Sequence, residues 1–252
     1  AQGGRIYGPG RYSESVDEHF LINTDFLATY SDSINRNITY SVNFGGNSMY
    51  YEHFNRTSNT EGGLVTPYVY TLQNSLNPIY TRPYRMQAAK NSLYAFGQIA
   101  WQNRVFIDIT GRNDWSSTLP EGKNSFFYPS SSLSLVYSEW INNVYGDDHF
   151  FSFGKLRVSY AGVGNDAKPY QLETTYETID NEGYGDMAFI DRTVSNLGLK
   201  PELVNSFEVG SELKLFMNRL GIDATYYDTR THHQISEMPV SATSGYSHAI
   251  IN

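Results

Sequence analysis

The feature that most constrains this chain is a strict alternation of apolar and polar residues that recurs in long segments while helical periodicity is nearly absent. In residues 37–45, Ile38, Tyr40, Val42 and Phe44 fall on one side of an extended chain, and Thr39, Ser41 and Asn43 on the other. Successive side chains of a strand point to opposite faces, so a period of two marks strands with one dry and one wet face. Residues 104–112 repeat the pattern, with Val105, Ile107 and Ile109 opposed by Asp108, Thr110 and Arg112. In residues 206–216, Phe207, Val209, Leu213 and Leu215 oppose Glu208, Glu212 and Lys214. Further segments at about 20–31, 92–102, 129–138, 153–162 and 219–229 predict about eight strands of about ten residues, where globular strands are nearer five or six.

The charges check this assignment, because the faces were set by the apolar residues alone. Asp25, Asp108, Arg112, Lys155, Arg157, Glu208, Glu212, Lys214 and Asp223 all fall on the polar faces, and the apolar faces carry no charge until Asp228 at a strand end. Each strand therefore has a face that rejects charge, which fits both a membrane barrel and a soluble sandwich. No stretch approaches the roughly 18 consecutive apolar residues of a membrane helix. A membrane β-barrel stays open, since its strands alternate between lipid and lumen and its mean hydropathy, here −0.46, resembles that of a soluble protein.

Connection lengths favour the barrel. Residues 32–35, 102–104 and 217–218 are short links, whereas 46–91, 114–128, 163–203 and the stretch from 230 read as long and irregular, with 139–152 intermediate. Short and long links alternate, which places every long one at the same end of the sheet, as in an outer-membrane barrel with short periplasmic turns and long extracellular loops. A Greek-key sandwich mixes hairpins with crossovers. On the apolar faces Tyr30, Trp101 and Tyr137 lie at the turn end, and Phe44, Tyr160 and Phe207 at the loop end. Two aromatic girdles flanking an aliphatic band are what a bilayer interface selects.

Composition excludes several functions. With 18 basic against 26 acidic side chains, net charge −8, the chain lacks the clustered Lys and Arg that bind nucleic acid. Zero cysteine removes disulfides, Cys-ligated zinc and thiol catalysis. A start at Ala1, with neither Met nor a signal-peptide apolar segment, reads as a processed or partial chain.

Three stretches in order are recognisable: Thr110 to Thr118 (TGRNDWSST), followed by Phe127, Tyr128, Pro129 and Ser130; Leu156 to Asn165 (LRVSYAGVGN); and Leu199 to Thr229. Over residues 20–235 this succession resembles the later barrel strands of SusC/RagA-type TonB-dependent outer-membrane transporters of Bacteroidetes. The resemblance implies an all-β fold, an antiparallel transmembrane β-barrel segment of about eight long strands drawn from a wall of about 22. It implies a bacterial outer-membrane location, a plug inside the barrel, and a TonB box that couples to the inner-membrane energy complex. It also implies a SusD-like surface lipoprotein as partner and an oligosaccharide or peptide as ligand. Residues 1–252 contain neither plug nor TonB box and are expected to be one part of the barrel domain.

Individual candidates are few. Arg112 and Asp114 share one parity near the rim, where Arg bonds carboxylates or loop carbonyls in bidentate fashion. They fit a structural clamp better than a substrate contact. Gly111 leaves room for a neighbouring loop, and Trp115 anchors the loop root. His232 and His233 are adjacent, so on an extended chain they point apart, and no third ligand is indicated. Asp180, Glu182 and Asp186, with Gly183 and Gly185, lack the calcium-loop Glu at position twelve and read as an acidic loop tip. The Gly-rich residues 3–10 lack the strand-before, helix-after context of a dinucleotide loop. No pair of carboxylates is marked out for glycoside hydrolysis. Tyr68 to Tyr84 and Tyr170 to Tyr184 suit sugar stacking, a partner interface or packing among loops. No catalytic residue, metal ligand or cofactor is nominated, and no side chain is assigned to substrate. The expected function is nutrient import; the alternatives are a SusC-like scaffold for other surface proteins and a soluble β-sandwich that binds or cleaves polysaccharide.

Overall fold

The computed structural model describes residues 10–145, 150–179 and 187–252. Every predicted alternating segment is a strand. In chain order the elements are β1 (Ser13–Asn35), β2 (Ile38–Leu64), β3 (Ser75–Trp101), β4 (Val105–Ser116), β5 (Ser125–Val136), the helix α1 (Ser138–Tyr145) and β6 (Phe151–Asn165). Three short strands follow, β7 (Tyr176–Ile179), β8 (Met187–Ile190) and β9 (Thr193–Val194), then β10 (Glu202–Leu215), β11 (Leu220–His232), β12 (Ser236–Pro239) and β13 (His248–Ile251). Eight strands form one sheet in the order β1-β2-β3-β4-β5-β6-β10-β11. Neighbours in this sheet are neighbours in the chain, with β7–β9 inserted between β6 and β10. That is an up-and-down meander, not a Greek key.

The register carries the predicted faces across the sheet. Ile99, Ile107, Leu133, Val158, Val209 and Tyr226 stand opposite one another in one row, and Gln98, Asp108, Ser132, Ser159, Glu208 and Tyr227 in the row beside it. On the apolar face Ile99, Ile107 and Ile109 stay uncovered, Ile109 at 62% of its full accessibility. A sandwich would bury this row beneath a second sheet; here it needs lipid.

The tight turns have local causes. Asn35 Oδ1 accepts hydrogen bonds from the backbone N–H groups of Asn37 (2.8 Å) and Ile38 (3.0 Å), closing the β1–β2 hairpin. Between β3 and β4, Gln102 (φ 51°) and Asn103 (φ 54°) are both left-handed, and Arg104 N–H donates to the Trp101 carbonyl at 2.9 Å. Two left-handed residues give the turn the twist that a tight hairpin favours.

The stretch 114–128 shortens to 117–124 between β4 and β5, 163–203 holds the short strands β7–β9, and two further connections differ more from expectation. Residues 46–91 are mostly strand: β2 and β3 are 27 residues each, and only 65–74 join them. Beyond the apolar band both faces of these strands mix polar and apolar residues, so no dry face imposes alternation, while the backbone ladder continues. The intermediate link after β5 holds α1, whose first turn carries Glu139 and whose Trp140 ring lies 6.3 Å from that of Trp101. At eight residues it is too short for helical periodicity to stand out.

The chain divides into two compact units, residues 1–22 with 49–88, and residues 23–48 with 89–252. Within the first, Thr60 N–H donates to the Tyr12 carbonyl (3.0 Å) and Tyr12 N–H to Thr60 Oγ1 (2.9 Å). Within the second, the buried cluster lies at the loop end of the sheet: Leu119, Ala167 and Leu199 of the loops pack with Phe126 of β5 and Ile250 of β13, flanked by Tyr128, Leu172 and Ile235.

Candidate functional site

The polar face of the second unit carries charges held in place by their neighbours. Midway along it, Asp108 accepts from Gln98 Nε2 (2.7 Å) and Ser132 Oγ (2.9 Å), linking β3, β4 and β5. On β6, Arg157 donates to Asp223 Oδ1 and Thr225 Oγ1 of β11, both at 2.7 Å. The strand between them, β10, presents Gly210 at that level. A Cβ there would collide with the Arg157 side chain, so the absence of a side chain lets the guanidinium cross β10. Lys214 pairs with Glu212 at 3.2 Å and lies 5.2 Å from the centre of the Phe153 ring.

Toward the loop end the network tightens. Arg112 Nε donates to Asp114 Oδ1 (2.7 Å), Tyr128 Oη to Asp114 Oδ2 (2.7 Å), and Arg112 Nη2 to Ser92 Oγ (2.9 Å). The Arg112 guanidinium also sits 5.8 Å from the Tyr94 ring centre. Asp114 is 3% exposed, with both carboxylate oxygens engaged. A buried carboxylate that is paired and fully hydrogen-bonded is a fastener, here joining β3, β4 and β5. Beside it, Asp166, just past β6, accepts from Lys90 Nζ (2.9 Å) and from Ser116 Oγ, which also bonds Thr118 Oγ1 (2.9 Å). The arrangement can hold strands and loops in place and present a polar surface.

The structure thus joins Arg112 and Asp114, as their shared parity predicts, and supplies partners that sequence reasoning missed: Ser92, Tyr128, Lys90, Ser116 and Asp166. Ser92 and Lys90 have the parity of Gln98 on β3, the one signal that pointed to them. Gly111 accommodates the Phe127 side chain, which a Cβ would meet at 3.1 Å, so a neighbouring aromatic and not a loop uses the space. Trp115 stands on the opposite face from Asp114 and is 37% exposed. His232 ends β11 and His233 turns away at φ 54°. Asp180, Glu182 and Asp186, with Gly183 and Gly185, lie outside the described residues, as do residues 3–9. Tyr68, Tyr70, Tyr80, Tyr84, Tyr170 and Tyr176 are exposed, and Tyr184 lies outside the described residues.

In the first unit a second polar group forms around Glu52. It accepts from Gln87 Nε2 (2.9 Å) and Tyr50 Oη (2.8 Å), with Arg85 at 3.3 Å. The Gln87 hydrogen bond, then that of Tyr50, holds the Glu52 carboxyl below its ordinary range.

Residues 3–250 match the family of TonB dependent receptor-like β-barrels. TonB-dependent receptor P3 of Formosa agariphila is 26% identical over 201 residues, covering 77% of this chain and 18% of the relative. TonB-dependent receptor P26 of the same organism is 26% identical over 167 residues, covering 62% of this chain and 16% of the relative. The chain thus spans less than a fifth of these relatives' length. Among solved structures, the RagAB peptide importer in its closed-closed state superposes with a TM-score of 0.84 at 19% identity, over 95% of this chain and 26% of that one. The open-open state gives 0.76 at 20% identity, over 96% of this chain and 26% of that one. The meander, the lipid-ready face and the charged face opposite it are therefore a stretch of outer-membrane barrel wall, and the chain belongs to the TonB-dependent receptor-like β-barrel family.

Proposed function

We propose that this stretch of wall serves a TonB-energised nutrient importer, acting by transport and not by catalysis. The observation that carries the reading is the charged face: Asp108 of β4, Arg157 of β6, Glu208 and Glu212 of β10 and Asp223 of β11 share one side of the sheet, opposite an exposed aliphatic side. In a barrel that side faces the lumen, where paired charges and hydroxyls line a wet path. The ligand is an oligosaccharide or peptide, captured above the loops with a SusD-like surface lipoprotein. A plug, pulled through its TonB box, opens the way past the lining residues.

Supporting the reading are the family match over residues 3–250 and the likeness of fold to the peptide importer. The test is to delete the TonB box of the whole protein and measure growth on peptides and glycans as sole nutrient. Loss of growth on one class is expected and names the substrate. Unchanged growth on every class would overturn import and leave a scaffold for other surface proteins.

A further inference from the structure

Asp17 and His19 are two residues apart on β1 and so share a face, and β2 brings His53 to the same place. One oxygen, Asp17 Oδ1, lies 2.6 Å from His53 Nε2 and 3.4 Å from His19 Nε2. The two imidazole rings stack with centroids 4.3 Å apart and an interplanar angle of 8°, so both nitrogens reach a common ion once one ring turns about its side-chain torsions. One donor atom from each residue fits within 4.8 Å of the other two. All three residues belong to the first compact unit.

We infer that Asp17, His19 and His53 form a binding site for one divalent transition-metal ion, with Zn2+ the best match. Two imidazole nitrogens and one carboxylate are the donor set of an open zinc site, which leaves a fourth position to water or an incoming group. Calcium and magnesium prefer all-oxygen shells, and soft ions prefer thiolate, which this chain lacks.

The surroundings support the site. His19 Nδ1 is hydrogen-bonded to Tyr51 Oη at 2.9 Å, which turns its Nε2 toward Asp17. Engagement of the second ring nitrogen by an outer partner is the usual way a ligating histidine is oriented. Tyr84 packs edge-on against His53, 6.0 Å between centroids, and the His53 side chain is only 21% exposed. Entry of the metal takes the place of the proton between His53 and Asp17, which leaves to solvent. Bound there, the ion ties β1 to β2 across a sequence separation of 36 residues.

The experiment uses the whole protein purified in detergent, stripped with a chelator and titrated with ZnCl2 against a chromophoric competitor. One equivalent is expected to bind with micromolar or tighter affinity, and CaCl2 in excess is expected not to displace it. His19→Ala and His53→Ala each weaken binding about tenfold or more, and Tyr51→Phe, which removes no ligand, weakens it about tenfold while keeping the stoichiometry. His233→Ala leaves binding unchanged. Heat-modifiable gel mobility verifies that each variant is a folded barrel, and Tyr51→Phe keeps the test decisive if a histidine variant is not. No zinc bound by the wild type, or equal binding by the His19→Ala/His53→Ala double variant, overturns the site.

Discussion

The barrel wall and the loop cluster, both within the second unit, use apolar side chains in opposite ways. Along the wall, Ile107, Ile109 and Ile222 stand exposed on one face of the sheet. In the loops, Leu199 is completely buried among Leu119, Phe126, Ala167 and Ile250. The wall has no interior of its own, because its apolar face is solvated by lipid tails and its backbone is satisfied by the strand ladder. The loops stand in water and must enclose an interior as any soluble domain does. The same residue types therefore mean different things at the two places, and an average such as mean hydropathy conceals both.

That contrast can be broken by substitution. The largest effect is expected from Leu199→Ala, which empties a fully enclosed position and costs about 2–5 kcal/mol of local stability; hydrogen exchange should rise in residues 117–124, 166–175 and 195–201 while the eight-stranded sheet stays protected. Ile107→Lys places a charge on the lipid face and costs about 2–4 kcal/mol if it sits near the bilayer midplane, read as a lower denaturant midpoint in vesicles. The contrast fails if Ile107→Lys is neutral in lipid. Asp114→Ala leaves Arg112 and the Tyr128 hydroxyl without their shared acceptor. It is expected to cost about 1–3 kcal/mol and to loosen the loop end of β4 and β5 in the same exchange experiment, with the turn end unaffected.

Gly210→Val keeps the lumen polar but displaces Arg157 from Asp223 and Thr225, so its readout is ligand uptake or channel conductance, with at most a small loss of folding. The smallest effect concerns Glu52. Its carboxyl is held below the ordinary value of 4.5, so the stabilisation is present above that value and is lost as pH falls through the lower, folded value. Protection of the β2–β3 ladder around Tyr50 and Gln87 should fall slightly in acid, and Glu52→Gln should flatten that dependence.

Much of the wall was legible in the sequence, because each residue's face depends only on its parity and on which of two solvents that face meets. Asp108, Arg157, Glu208 and Asp223 were placed correctly for that reason. The extension of β2 and β3 through residues 46–91 was not legible, since strands that mix polar and apolar residues on both faces have no apolar period to betray them. His53 falls in that extension, and Asp17 and His19 precede the predicted start of the first strand. No local period therefore links the three in the sequence, whereas His232 and His233, adjacent in the chain, part at the end of β11.

The sequence by itself determined the number of long strands, the face of each residue and the end at which the tight turns lie. These follow from contacts one or two residues apart and from partition between lipid and water. Only the tertiary structure decided which distant groups meet: Lys90 with Asp166 across 76 residues, Ser116 with the same carboxylate across 50, and His53 with Asp17 across 36. Those meetings depend on strand register and on how the loops close over their own core, which involve long-range contacts that no local period encodes.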